Sequence, residues 1–312
     1  MKKTLIIIIL ILSSIKLIAQ DSDFAINFQQ NPNLINPAYL TKNNFITSNF
    51  LYNKTWIYPG APTYSTIWMS GKFTEHMGAG LQISTKNIGI FSKTQLSLSY
   101  AFEITLNKRT HTYLSFGIAG GLLQDFYNTS QMHIIFTDPF LQQANLNRYY
   151  PQASTGIMLY NEFFNIGISA FRLLPKSGYF ITNQTEILSP VIIFHWNYLY
   201  KDPLERYSFS PALILSLTKE KYYLEAIIAS FTRPKTIKYG IGLNTEFITD
   251  YKSIVLGFNT FIGFRISERF FIIYKFNLNS INTPSPLLTK IGNSIAIRFD
   301  FYQYKYNIPD FF

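Results

Sequence analysis

The chain has no cysteine among its 312 residues. That absence excludes a disulfide framework, a thiolate metal site, a cysteine nucleophile and the lipid-modified N-terminal cysteine of a lipoprotein. Charge is sparse as well: Asp, Glu, Lys and Arg together make up 14% of the sequence. Beyond the N-terminus no long, uniformly apolar run is present to arrest export in a membrane, and no helical periodicity separates one extended stretch from the next. Aromatics, by contrast, reach 17%, with 29 Phe and 22 Tyr, while mean hydropathy is only +0.08. A membrane barrel fits these values, because its two faces cancel in the average and its aromatics gather at the interfaces. A soluble sandwich also fits them on composition alone.

The first residues narrow the choice. Met1-Lys2-Lys3, an apolar run from Leu5 to Leu12 and then Leu17-Ile18-Ala19-Gln20 read as the charged region, hydrophobic region and cleavage site of a secretory signal peptide spanning 1–19. The run is too short for an anchor helix and is interrupted by Ser13, Ser14 and Lys16. Subtracting the signal's three lysines from the formal charge of +10 leaves +7 for the mature chain. That excess is scattered through expected turns, such as Asn107-Lys108-Arg109 and Arg233-Pro234-Lys235, rather than clustered on one element. Lipid phosphate or acidic glycan therefore suits it better than nucleic acid, for which no role is expected.

The clearest pattern lies between Gln95 and Leu106. Leu96, Leu98, Tyr100, Phe102, Ile104 and Leu106 fall on one parity, while Gln95, Ser97, Ser99, Ala101, Glu103 and Thr105 fall on the other. This is the period of two of an extended strand, and its length suits a tilted strand crossing hydrocarbon. The same alternation recurs at Phe270, Ile272, Tyr274, Phe276 and Leu278, and at Ile295, Ile297, Phe299 and Phe301. Strand-like segments near 44–53, 63–73, 77–87, 93–106, 111–124, 152–160, 163–171, 188–199, 207–218, 221–230, 237–247, 252–266, 269–279 and 289–302 predict an all-β transmembrane barrel of about fourteen antiparallel strands. Short connections such as Phe73–His76 alternate with long ones such as Asp125–Pro151, which assigns short turns to the periplasm and long loops to the exterior. The tight Lys219-Glu220 connection is the exception to that alternation. The resulting division is a signal peptide at 1–19, a periplasmic, turn-rich or plug-like lead at 20–43, a barrel at 44–302 and a periplasmic tail at 303–312. Lys290-Ile291-Gly292-Asn293-Ser294-Ile295-Ala296-Ile297, in the last strand, has the polar, Gly and alternating apolar order of a barrel-insertion signal.

No residue is assigned to catalysis, cofactor or metal. His76, His111, His133 and His195 lie far apart, with no partner at helical or strand ligand spacing. Asp138 beside His133 in the longest loop is the best remaining acid–base pair, and nothing marks a nucleophile. Gly78, Gly80, Gly117, Gly120 and Gly121 fall within strands with no helix after them, so they read as close packing or bending of the wall rather than a phosphate cradle. Glu103, Glu225, Arg265, Lys275, Arg298 and Asp300 are placed on the lumen parity, where opposite charges are expected to pair rather than line an ion path. Aromatics of the long loops, including Tyr52, Trp56, Tyr58, Phe126, Tyr127, Tyr149 and Tyr150, suit either a protein interface or the interfacial belt.

The mature start carries a resemblance. Asn31-Pro32, Leu34-Ile35-Asn36-Pro37-Ala38-Tyr39, Tyr52-Asn53-Lys54-Thr55-Trp56 and Gly60-Ala61-Pro62-Thr63 resemble the opening segments of the PorP/SprF family of Bacteroidetes membrane proteins. The motif residues are Asn36, Pro37, Ala38, Tyr39, Trp56, Gly60, Ala61 and Pro62. Ser97-Leu98-Ser99-Tyr100-Ala101 and Leu114-Ser115-Phe116-Gly117 extend the resemblance over roughly the first 120 residues, and beyond them it continues as pattern alone. The resemblance implies a non-enzymatic outer-membrane barrel of the type IX secretion system. Such a barrel assists export and surface anchoring of a large cargo through the cargo's C-terminal domain and, in some members, serves gliding motility. It also implies other secretion components as partners, including a periplasmic one linked to peptidoglycan, and outer-membrane lipid around the wall. The rival expectation, from the polar inner parity alone, is a passive or substrate-selective channel.

Overall fold

The structure is a computed structural model and describes residues 32–42, 45–54, 61–128, 146–174, 179–180, 184–185, 190–202, 208–218, 221–233, 237–248, 253–267, 269–281 and 288–303. The signal peptide, the tail beyond 303, Trp56, Tyr58, Gly60, His133 and Asp138 lie outside these residues. One antiparallel sheet contains sixteen segments, two of them only two residues long, so fourteen strands make the wall. In chain order these are β1 Phe45–Lys54, β2 Thr63–Lys72, β3 Met77–Ile88, β4 Phe91–Asn107, β5 Thr112–Tyr127, β6 Leu146–Tyr160 and β7 Phe164–Phe171. They continue as β8 Val191–Tyr198, β9 Ala212–Leu217, β10 Lys221–Arg233, β11 Ile237–Ile248, β12 Ser253–Ser267, β13 Phe270–Ile281 and β14 Leu288–Gln303. Each pairs with its sequence neighbours, and β1 pairs with β14, Phe50 standing opposite Ile297, so the sheet closes into a barrel.

Side-chain alternation decides which way each strand faces. On β4, Leu96, Leu98, Phe102, Ile104 and Leu106 point out and are exposed, whereas Ser97, Ala101 and Glu103 point in and are buried. On β2 the outward Ile67 and Met69 alternate with the inward Thr66, Trp68, Ser70 and Lys72. A wall with apolar side chains outside and buried polar ones within inverts a soluble core, and it is stable only where lipid replaces water around it.

The connections follow local chemistry. Asn107 Oδ1 accepts from the Arg109 and Thr110 amides at 2.9 and 3.4 Å, and Asn161 Oδ1 accepts from the Phe163 and Phe164 amides at 2.8 Å each. In both cases an asparagine side chain replaces a backbone acceptor and closes the turn in few residues. At the opposite end β3 and β4 are joined by Gly89 and Ile90 alone, with Gly89 at φ 56. That positive φ is what a tight hairpin needs and glycine supplies without strain.

Two expected strands are shorter than the pattern suggested. The segments 188–199 and 207–218 give only β8 and β9, because the ladder breaks at Leu199 and at Ser210-Pro211. Pro211 has no amide hydrogen to donate, and its carbonyl instead accepts from the Tyr198 amide at 3.0 Å and from Asn197 Nδ2 at 3.2 Å. Short pieces, Tyr200–Lys201 and Ser208–Phe209, resume pairing beyond the break.

Part of the lumen is filled. Pro32–Leu34 and Pro37–Thr41 form two short 3-10 turns inside the wall, packed on β2 to β6 near the short-turn end. The lead read from sequence as turn-rich or plug-like is thus, in its described part, a stopper within the barrel rather than a segment beyond it. On their inner faces β8 and β9 mix buried apolar side chains with the buried polar His195, Asn197 and Ser216. Val191, Ile193, Ala212 and Ile214 point inward against the stopper and join Ile35, Ala38, Tyr39, Met158, Tyr160 and Tyr223 in one apolar cluster. The expectation of a uniformly wet inner parity is therefore corrected on this side of the wall. A second inward cluster, Leu51, Trp68, Phe261, Ile273 and Ala296, fills the lumen near β1 and β12 to β14.

Candidate functional site

Asn36-Pro37-Ala38-Tyr39 builds the stopper residue by residue. Asn36 is extended at φ −155 and caps the following turn, its Oδ1 accepting from the Ala38 amide at 2.9 Å. Pro37 occupies the first turn position, where a missing amide hydrogen costs nothing. The Asn36 amide group then reaches the wall, donating to the carbonyls of Ile157 at 3.2 Å and Ile168 at 3.4 Å. Tyr39 donates to Asn165 Oδ1 at 2.6 Å, and its ring lies 5.0 Å from that of the buried His195. Thr41 donates to Ser115 Oγ at 2.8 Å, Ser115 to the Ala38 carbonyl at 2.9 Å, and Ser169 to the Ile35 carbonyl.

Such close approach requires the facing wall to lack side chains. A β-carbon at Gly117 would collide with the backbone of Pro37 and Ala38, and one at Gly78 would stand 2.6 Å from the Leu40 carbonyl oxygen. These glycines, which the strand pattern suggested were wall packing or bends, are the seats of the stopper. No local signal could have said so, since the partner segment lies dozens of residues away.

Charge in the lumen is paired across the wall. Glu103 receives Lys72 Nζ at 2.7 Å and the Tyr160 hydroxyl, which also lies 3.3 Å from the Thr41 carbonyl, so this pair is tied to the stopper. His76, half exposed at the adjoining turn, stands 3.8 Å from the same carboxylate. Glu225 receives Lys275 at 3.3 Å and Asn259 at 3.0 Å. Arg298 and Asp300 pair at 2.7 Å on one strand, half buried. Arg265 differs: it shares the inward parity of β12 but lies exposed at the strand end. Lys72, Asn259 and the Tyr160 hydroxyl were missed from sequence because they sit on strands other than their partners'. Lys42, at the end of the stopper, is buried with its Nζ 5.8 Å from the ring centroids of both Tyr39 and Tyr160, and burial pushes its ammonium below the usual lysine range. Ala61 and Pro62 are buried just before β2.

Between the stopper and the long-loop end lies an open pocket, with about 1030 Å³ of empty space when the adjoining open solvent is counted. Asn33, Leu34 and Pro37 form its floor. Its walls are Gln82, Ser84 and Lys86 of β3, Lys93, Gln95, Ser97 and Ser99 of β4, and Gln152 and Ser154 of β6, with Tyr64, Phe171 and Arg172 nearby. It is a cup rich in amide and hydroxyl groups. Among the described residues no group of three or more His, Asp or Glu is placed to share a metal ion.

Residues 17–287 match the family described as type IX secretion system membrane protein PorP/SprF. The chain belongs to that family. Comparison with curated proteins gives no match. Among solved structures, this PorP/SprF protein is similar to the CymD monoaromatic hydrocarbon channel, with a TM-score of 0.63 at 8% identity over 91% of this chain and 96% of that one. It is also similar to a FadL homologue of Pseudomonas aeruginosa, with a TM-score of 0.54 at 10% identity over 90% and 96% of the two chains. At such identities the likeness is one of fold: the PorP/SprF chain has the architecture of an outer-membrane β-barrel.

Proposed function

We propose that this protein is a non-enzymatic barrel that resides in the outer membrane and assists export of a large cargo, holding it at the surface through the cargo's C-terminal domain. The observation that carries this reading is family membership over nearly the whole chain, 17–287. On this reading the signal at 1–19 directs export, the short turns face the periplasm and the long loops face outward. A peptidoglycan-linked partner and other secretion components would meet the protein from the periplasmic side. The role extends to gliding motility where the cargo is a surface adhesin. Supporting an anchor over a channel is the obstructed lumen: the stopper and two apolar clusters occupy space an ion path would need.

Deletion of the gene tests the reading. One or a few large secreted proteins should be trapped inside the cell or lost to the medium, and return to the surface on complementation. A surface proteome unchanged by the deletion refutes it.

A further inference from the structure

We infer that the upper half of β6 is an open strand edge that receives an extended segment of the exported cargo as an added β-strand. The inference rests on the proposed function for the source of that segment, and adds to it where and by what bonds the cargo is held. β6 pairs with β5 over its whole length, Leu146 to Tyr160, but with β7 only from Thr155 to Tyr160. Just past the end of β7, Arg172 takes a left-handed φ of 58 and Leu173 donates its amide to the Ala153 carbonyl at 3.1 Å. That bond fixes a direction. Amide and carbonyl pairs alternate sides along a strand, so those of Asn147 and Tyr149 and the Pro151 carbonyl face the β7 side, as the Ala153 carbonyl does. Among the described residues no strand pairs with them there. The described part of the β7–β8 connection, Tyr179–Phe180 with Gln184–Thr185, forms a separate two-stranded sheet. Pro151 agrees with an open side, because its missing amide hydrogen falls on the edge and not in the β5 ladder.

An open edge is untenable in hydrocarbon, and this one stands beyond it. Outward side chains along β6 change from the apolar Ile157 to Pro151, Tyr149 and Asn147. Gln124 of β5 donates to Asn147 Oδ1 at 2.9 Å, and Asn147 Nδ2 donates to the Tyr149 hydroxyl at 3.2 Å. The edge therefore lies in water at the long-loop end, which the proposed function places outside the cell. Strand donors and acceptors in a row recognise another extended backbone, not a sugar or a lone charge. A second copy cannot supply it. Antiparallel pairing of like edges needs a two-fold axis normal to the sheet, which here lies in the membrane plane and inverts one copy. Two upright copies would instead set like edges parallel at one height, without the stagger a parallel ladder needs. A polypeptide exported to the same face is the occupant that fits.

The absence of cysteine allows a direct test in the full-length protein in cells. Asn147→Cys places a single thiol on the exposed outer side of the edge strand, and Leu98→Cys places one on the lipid face. Each is labelled with a maleimide–benzophenone reagent, illuminated, and the coupled peptide is identified by mass spectrometry. Folding of each variant is checked by its heat-modifiable migration. The expected result is coupling from Asn147→Cys to one short segment of a secreted protein, with none from Leu98→Cys. Adding Tyr149→Pro removes an edge amide hydrogen and spares the β5 ladder, as Pro151 already does. It should lower the yield about tenfold, the effect of one lost hydrogen bond that leaves a backbone carbonyl without its donor. Adding Tyr149→Ala keeps that amide and should leave the yield unchanged. If Tyr149→Pro fails to fold, Asn147→Pro read from Tyr149→Cys makes the same comparison. Equal yields from the proline and alanine variants overturn the inference, as does coupling to a second copy or to residues 172–190 of the same chain. No secreted protein captured from Asn147→Cys, where the deletion strain does lose surface cargo, overturns it while leaving the proposed function standing. If the deletion strain has a normal surface proteome, both readings fall.

Discussion

The seat of the stopper can be filled by mutation, and the size of the filling group should decide whether the barrel opens. Gly117 faces the backbone of Pro37 and Ala38, so an added side chain cannot be accommodated by rotating a flexible neighbour. One extra methyl in a packed site costs about 1–3 kcal/mol. Against it stands the burial of Ile35, Tyr39 and Leu40, each no more than 1% exposed, worth about 1.5–3 kcal/mol apiece or roughly 5–9 kcal/mol together. Gly117→Ala should therefore leave the stopper in place under strain. Gly117→Leu demands space for three further carbons where Ala38 now lies, and its cost exceeds what one methyl imposes. In planar bilayers the unmodified protein and Gly117→Ala should show no steady conductance, whereas Gly117→Leu should conduct in steps. Ile118→Leu, on the outer face one residue away, serves as the control. A folded Gly117→Leu barrel that stays as closed as the parent refutes the idea that this segment is the stopper.

Asn36→Ala removes the cap and two buried wall contacts at once, leaving the Ile157 and Ile168 carbonyls without this donor. A loss of about 1–3 kcal/mol is expected, seen as faster proteolysis of the lead in the folded barrel. Glu103→Ala leaves the Lys72 ammonium buried without its carboxylate, which should cost about 3–5 kcal/mol and lower the temperature at which heat-modifiable migration is lost. Glu103→Ala with Lys72→Met should recover most of that loss, and failure to do so would count against the pairing. Leu98→Arg puts a cation on the lipid face near mid-wall and should cost about 2–4 kcal/mol with poor membrane assembly. Ser97→Arg, one residue away but facing the cup, should assemble normally, and equal defects in both would contradict the assigned parity.

The strand register was legible because it is written locally. Leu96 to Leu106 alternate so regularly that the outer and inner faces of β4 follow from the period alone, and Asn107 and Asn161 announce their own turns. The breaks at Leu199 and Ser210-Pro211 were less visible, since the apolar run of β8 reads equally well as an uninterrupted strand. Lumen pairing was legible in kind but not in detail. Glu103 and Glu225 stood out as acids on small or apolar strands, yet their partners Lys72 and Lys275 lie 31 and 50 residues away. Arg265 shows the limit of parity as a guide, since at a strand end the inward direction opens into solvent.

By itself the sequence determined a closed antiparallel barrel for a membrane, because a two-residue period with apolar side chains on one face admits few other burials. It also carried the PorP/SprF motifs, whose Asn-Pro-Ala order encodes a capped turn. Only the tertiary structure decided that this turn sits inside the barrel against Gly117 and Gly78, and that the lumen is thereby divided into a stoppered end and a polar cup. The physical reason is contact range. Periodicity and turn chemistry act between neighbours in the chain, whereas a glycine seat and the segment that fills it are brought together only when the wall has closed.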